Sequence, residues 1–368
     1  MNTNTTSLQE LSGYTFHKDN DKVHLAQLGT IYRAIHKSTQ KPCLLKFVPD
    51  NHLLTPDLIL SELPLLQALN HPNLVKYYDV FVQYNQDKQL SEWEENYVYV
   101  LENQDFISLA EFPTQTFWEA GLKIVISHVL EALRYLHNQN IVHGHLQPSQ
   151  ILLTDNKAEI RAKLFYSSQA MRLSSEFWQP YEYQAPEQLL NKANQISNRT
   201  DIWAFGVILY EMLTQELPYG SEKQGFSAQD IIQHIAQHPT PALLHTILQP
   251  YRYIIGKCLQ IKPKERFNNV NEIIYLLNNP EFVQDLPSTN TPLKSFKGIT
   301  KNIEPPLPQV EKVPEKKIKT NDSNLWLVVF SLLILLCVSS AITFLIDNGK
   351  TFTAIWKFIE NFWARVRL

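Results

Sequence analysis

Cysteine is scarce in this chain of 368 residues: Cys43, Cys258 and Cys337 lie far apart and are odd in number. No disulfide framework is expected from them, and a reducing compartment suits the main folded part. No Cys/His cluster has zinc-site spacing, and no repeat period runs through the chain, which argues against a zinc module and a solenoid. The formal net charge is −3, so there is no basic surplus and no nucleic-acid partner is expected. The opening MNTNTTSLQELSG has no apolar run, and no secretory signal peptide is expected there. Hydrophobic residues make up 44% and charged residues 19%, the balance of a globular chain rather than a disordered one.

The pattern along the chain divides it into five parts. Residues 1–13 are expected to lack order, and residues 14–281 to fold. From 282 to 324 the text turns rich in Pro and Lys, as in Glu304-Pro-Pro-Leu-Pro and Val313-Pro-Glu-Lys-Lys, a composition that buries too little apolar surface to fold and reads as a linker. Residues 325–346, LWLVVFSLLILLCVSSAITFLI, carry no charge and are long enough to span a bilayer as a helix. Residues 347–368 form an amphipathic tail. Phe352, Ile355, Trp356, Ile359, Phe362, Trp363 and Val366 recur at helical spacing opposite the cations, which fits a helix in the membrane interface or one that binds a partner. Lys312, Lys316, Lys317 and Lys319 precede the apolar run, Lys350 and Lys357 follow it with Arg365 and Arg367 further away, and on that balance the positive-inside rule favours a single-pass membrane protein with its folded part in the cytoplasm.

Within the folded part, β-type runs at Tyr32–Ile35, Cys43–Val48, Val75–Val82 and Tyr97–Leu101 surround one helical segment near Leu58–Leu69. After them the pattern turns helical, with Leu122, Val125, Ile126, Val129, Leu130, Leu133 and Leu136 on the period of a helix between Phe117 and Asn138. The fold class expected is α+β: a small β-rich lobe over 14–104 and a larger helical lobe over 105–281. Pro64 places the start of the first helix near Glu62, or kinks it there.

Several short stretches follow one another in a telling order: Leu28-Gly-Thr-Ile-Tyr-Arg-Ala34, Cys43-Leu-Leu-Lys46, Glu62-Leu-Pro-Leu-Leu-Gln-Ala-Leu-Asn-His-Pro-Asn73, Ile141-Val-His-Gly-His-Leu-Gln-Pro-Ser-Gln-Ile-Leu-Leu153, Tyr183-Gln-Ala-Pro-Glu187, Asp201-Ile-Trp-Ala-Phe-Gly206 and Arg266. In that order they resemble the glycine-rich loop, phosphate-pairing lysine, helix glutamate, catalytic loop, end of the activation segment and later landmarks of the eukaryotic-type protein kinase family. The resemblance covers roughly residues 14–281 and implies a bilobal kinase-like fold.

The resemblance also assigns positions, and many hold the wrong chemistry. Kinase catalysis is positioning and charge neutralisation around a magnesium nucleotide. His145 stands at the place of the catalytic Asp, where an imidazole is still able to take a proton near neutral pH. Gln147 replaces the loop Lys. Gln150 stands at one metal-ligand position. Aligning Ala162–Phe165 with the strand before D-F-G puts Tyr166 at the other, and a neutral phenol does not replace a carboxylate for a hard cation. Asp155 and Glu159 read as a solvated turn, so no metal site is expected. Lys46, Glu62, Gly29, Leu44 and Glu102 mark a degenerate nucleotide site. Only Gly29 remains of the glycine pattern, with His24 and Ala26 at the earlier places, and Leu44 crowds the adenine position. Lys46 and Glu62 read first as a structural ion pair. Glu187, Asp201, Trp203, Gly206 and Arg266 keep the residues that hold the large lobe together.

The resemblance with these substitutions implies a membrane-anchored pseudokinase, a signalling scaffold or allosteric regulator that needs no cofactor and binds protein partners such as an active kinase or a membrane protein. The enzyme alternative is an atypical Ser/Thr protein kinase using Lys46 and His145, with ATP and Mg²⁺. A third possibility keeps nucleotide as a conformational ligand without transfer. Ser174 and Ser175 are ordinary loop serines or phosphate acceptors, and Phe177, Trp178, Tyr181 and Tyr183 are expected to pack the activation segment down.

Overall fold

The computed structural model describes residues 8–17, 20–25, 28–49, 55–84, 95–112, 119–156, 159–167, 171–172, 180–190, 195–237 and 240–284. The linker beyond 284, the 325–346 segment, the tail, Ala26, Ser174, Ser175, Phe177 and Trp178 lie outside them. Residues 1–293 form one compact unit and 294–368 another, and every described residue is in the first. Among the described residues no helix is long and apolar enough to cross a membrane.

The small lobe is a seven-stranded antiparallel sheet with the order β1-β2-β4-β5-β7-β6, β3 pairing with β4. Its strands are β1 (Leu8–Leu11), β2 (Tyr14–His17), β3 (Lys22–Val23), β4 (Ile31–His36), β5 (Pro42–Pro49), β6 (Tyr77–Tyr84) and β7 (Glu95–Glu102). Strand β1 was not anticipated. It lies inside the segment expected to lack order, and it is held because its backbone pairs with β2 from Leu8↔His17 to Leu11↔Tyr14. Both faces of the sheet are buried, and the two-residue side-chain period sorts them. In β7, Tyr97, Tyr99 and Leu101 enter one core with Leu44, Ile59 and Leu66. Val98 and Val100 enter the opposite core with Phe16, Tyr32 and Leu45.

Helix α1 (Pro56–Ala68) begins earlier than expected. Thr55 caps it by accepting from the Leu58 amide at 3.2 Å, and Pro56 fills the first helical position, where its missing N–H costs nothing. Pro64 therefore lies inside the helix, which continues through it.

Strand β8 (Phe106–Ser108) opens the large lobe and pairs with the hairpin β9 (Ile151–Asn156) and β10 (Glu159–Leu164). The helices are α2 (Glu119–Asn138), α3 (Pro186–Leu189), α4 (Asn198–Thr214), α5 (Ala228–Gln237), α6 (Tyr251–Cys258), α7 (Val270–Asn278) and α8 (Glu281–Gln284). Helix α4 is apolar all round and buried from Thr200 to Tyr210, the signature of a helix at the centre of a domain. A reciprocal cap starts it: Ser197 Oγ accepts from Arg199 N, and Thr200 Oγ1 accepts from Ser197 N. Gly206 lets α4 and α6 meet. A Cβ at that position would come within 2.5 Å of Cys258 Cβ.

Candidate functional site: a degenerate cleft on an intact frame

The catalytic-loop segment enters the short turn Pro148–Gln150 and then β9. Its backbone is fixed from below by Asp201 on α4. The Asp201 carboxylate accepts from His143 N at 2.8 Å, Gly144 N at 2.6 Å and His137 Nε2 at 2.7 Å. Burial alone would raise the Asp201 pKa, but these donors outweigh it and hold the carboxyl below its ordinary value. Gln188 on α3 adds a tie from the side, donating from Nε2 to the Gly144 carbonyl at 2.7 Å.

The frame below is complete. Arg266 and Glu187 form a fork at 2.8 Å on both arms, with both side chains fully buried. The remaining Arg266 donors reach the carbonyls of Gln260, Arg199 and Ile261. All five guanidinium N–H groups are thus used. Thr200 Oγ1 donates to Glu187 Oε1 at 2.9 Å. Trp203 is fully buried, stacked on Tyr219 at 5.7 Å, and has the Arg266 guanidinium 5.0 Å above its ring. The five residues read as structural from the sequence therefore meet around α4.

In the cleft, β10 ends at Leu164, paired with Ile151. Phe165, the last residue before the D-F-G place in the sequence alignment, follows the strand directly, and Tyr166 comes next. Phe165 N donates to the Gln150 carbonyl at 2.8 Å, and the Phe165 carbonyl meets His143 Nε2 at 3.1 Å. The D-F-G place read from the sequence is Tyr166-Ser167-Ser168, of which Ser168 lies outside the described residues. Neither the Phe165 ring nor the Tyr166 ring offers a carboxylate. The Phe165 side chain is buried in one apolar cluster with Leu25, Leu28, Leu44, Leu152 and Met171. Gln150 is buried, and its Oε1 accepts from Ser167 Oγ at 3.2 Å. Gln150, at one expected metal-ligand position, is thus tied to Ser167, the neighbour of Tyr166 at the other. Among the described residues no group of three or more His, Cys, Asp and Glu side chains is placed to hold a metal ion.

His145 is half-buried. Desolvation, with the nearby charge of Arg172 adding to it, drives its pKa down to about 3. Burial drives His143 down to about 4 against the opposing pull of Asp201. The imidazole at the base position is therefore neutral at pH 7 but a very weak proton acceptor, unlike the near-neutral base expected from its residue type. Gln147 is buried beside it in the sequence.

Lys46 is buried on β5 and donates to the Leu28 carbonyl. Glu62 is half-buried on α1 and its charge is felt by Tyr77, Tyr166 and Arg172. Gly29 has φ +75°, and His24 is exposed. The Glu102 carboxylate turns to the large lobe, where Lys163 Nζ donates to both of its oxygens at 2.8 and 2.9 Å and Lys76 N donates at 2.9 Å. Lys163, Gln188, His137 and Arg172 were missed from the sequence. Each acts on residues tens of positions away, and no local spacing marks such a contact.

Comparison with known proteins agrees with this architecture. The model of the protein kinase domain family matches residues 24–276, well over half of the chain. A mitogen-activated protein kinase kinase 2 of Arabidopsis thaliana is 30% identical over 56% of this chain and 57% of its own length. The serine/threonine-protein kinase dkf-2 of Caenorhabditis briggsae is 28% identical over 66% of this chain and 20% of its own length. The MAP kinase kinase kinase wis4 of Schizosaccharomyces pombe is 29% identical over 58% of this chain and 15% of its own length. This chain thus spans little more than half of the first relative and far less of the other two. With its β-sheet small lobe, helical large lobe and intact α4 frame, the chain belongs to the protein kinase domain family.

Proposed function

We propose that the chain is a membrane-anchored member of the family that has lost phosphoryl transfer and acts by binding other proteins, as a signalling scaffold or allosteric regulator. The observation that carries this reading is the neutral filling of the D-F-G region. Tyr166 stands where the family places a metal-binding carboxylate, and the Phe165 ring before it is buried among Leu25, Leu28, Leu44 and Leu152. Gln150 Oε1, the other candidate ligand atom, is engaged by Ser167. These residues do not fit a magnesium-bound nucleotide. His145, with its pKa near 3, adds no effective base. The uncharged length of the run 325–346 supports the anchor, and the Lys-rich side of it favours a cytoplasmic folded unit. The partners proposed are proteins at the same membrane, an active kinase among them, since a tether raises effective concentration there.

The competing reading is an atypical active kinase, favoured by the retention of Lys46 and Glu62 and by the relatives' names. A thermal-shift titration of the full chain, with ATP, ADP and Mg²⁺ varied separately, decides between them. A ligand that binds only the folded state raises its melting temperature with concentration over Kd. The proposal expects no shift. A metal-dependent shift, together with phosphoryl transfer that disappears in Lys46→Ala, would establish the enzyme instead. A shift by ATP that survives EDTA would identify nucleotide as a conformational ligand.

A further inference from the structure

The loop segment His143-Gly144-His145 has no side chain at its middle position. Gly144 has φ +71°, a left-handed backbone that a side chain strains, and a Cβ there would stand 3.4 Å from Arg172 Nη1. The space beside the loop is filled by that guanidinium, which comes from beyond the D-F-G place. Arg172 Nη2 donates to the His143 carbonyl at 2.8 Å, and Nε donates to the Ser167 carbonyl at 2.9 Å. Its Cζ lies 5.5 Å from the centre of the Tyr166 ring. The backbone it grips is held at a second point, where Tyr77 Oη donates to the Tyr166 carbonyl at 2.5 Å.

We propose that Arg172 is a positioning residue, a guanidinium staple that fastens the catalytic-loop segment at His143 to the Tyr166–Ser167 segment through the opening that Gly144 leaves. Two carbonyls on different segments are reached at once because the guanidinium is a rigid fork with donors pointing in different directions. An ammonium is a point charge and does not reproduce that fork. The staple explains why the loop keeps its frame although the polar groups of a metal site are gone: the two segments that a metal would draw together are joined by a protein cation instead. It also places a fixed positive charge beside His145, and Glu62, Asp201, Tyr166 and His143 are the other titratable groups around it. The inference concerns the frame of the loop and stands whether or not a nucleotide binds.

The test uses the full chain without nucleotide, labelled at histidine Cε1 for NMR titration, with amide hydrogen exchange followed in parallel. His145→Gln assigns the resonance. In Arg172→Met, which keeps the apolar stem and removes the fork and the charge, the His145 titration moves up by about one pH unit or more. Exchange at residues 143–145 and at Ser167 becomes about tenfold faster. In Arg172→Lys the charge remains, so His145 stays low while exchange quickens at one of the two ends. An unmoved His145 and unchanged exchange in Arg172→Met would overturn the staple. Should that variant fail to fold, the lysine variant decides: undiminished protection at both ends would show that any cation suffices and that no fork is at work.

Discussion

The large lobe around α4 and the cleft above it contain similar kinds of side chain put to different uses. Around α4 the buried charged groups converge on several partners each. Asp201 receives three donors, and Arg266 spends every N–H on Glu187 or a carbonyl. In the cleft the groups that would meet a nucleotide turn to one another: Gln150 to Ser167, Glu102 to Lys163, Lys46 to the Leu28 carbonyl. A buried charge tolerates no loss of partner, whereas a catalytic group can be exchanged for a neutral one whenever the pocket is refilled with apolar surface. The comparison therefore separates what the fold requires from what the chemistry requires.

The sharpest way to test that separation is Glu187→Gln. It strands the buried Arg266 cation, and it is expected to lower the stability of the folded unit by about 3–5 kcal/mol in urea unfolding. A loss under about 1 kcal/mol, typical of exposed pairs, would erase the distinction.

A smaller but broad effect comes from acid. His143 and His145 are neutral in the fold, with pKa values lowered to about 4 and about 3. The unfolded chain takes up these protons first, below its ordinary histidine value of about 6.5. Stability is therefore full above that pH and declines as pH falls towards 4, before the lowered carboxyl of Asp201 contributes a further loss. Urea midpoints measured between pH 7 and 4 check this, and a flat profile would contradict the burial of the two imidazoles.

Gly206→Ala drives a methyl to 2.5 Å from Cys258 Cβ, and overpacking of that kind costs about 1–3 kcal/mol. A neutral outcome would mean that α4 and α6 are free to part. The smallest effect belongs to Lys262→Ala. Its pair with Glu265 is exposed on both sides, and thermal melting should show a change of about 0.5 kcal/mol or less. A larger loss there would mean that charge pairing alone, without burial, supports this lobe.

The sequence made the frame readable because its residues sit in contiguous text: Asp201, Trp203 and Gly206 share one helix, and Glu187 ends a five-residue signature. The strands were readable from alternation, as in Tyr97 to Leu101, where each successive side chain enters the opposite core. Strand β1 was not readable, because Leu8–Leu11 is only four residues long, follows polar text and becomes a strand by pairing with β2. Arg172 was invisible for a different reason. Its partner His143 is 29 residues away, and the space it fills is created by a missing side chain at Gly144.

The surroundings of Trp203 have an optical consequence. It is the only tryptophan among the described residues, and it stands without solvent contact against Tyr219 and beneath the Arg266 cation. An indole in such a place emits at shorter wavelength than one in water, and its emission answers to the charge above its ring. The chain has seven tryptophans, so the signal of this one is read as the difference between the protein and its Trp203→Phe variant: that difference spectrum reports on the frame, and a break between Glu187 and Arg266 changes its colour.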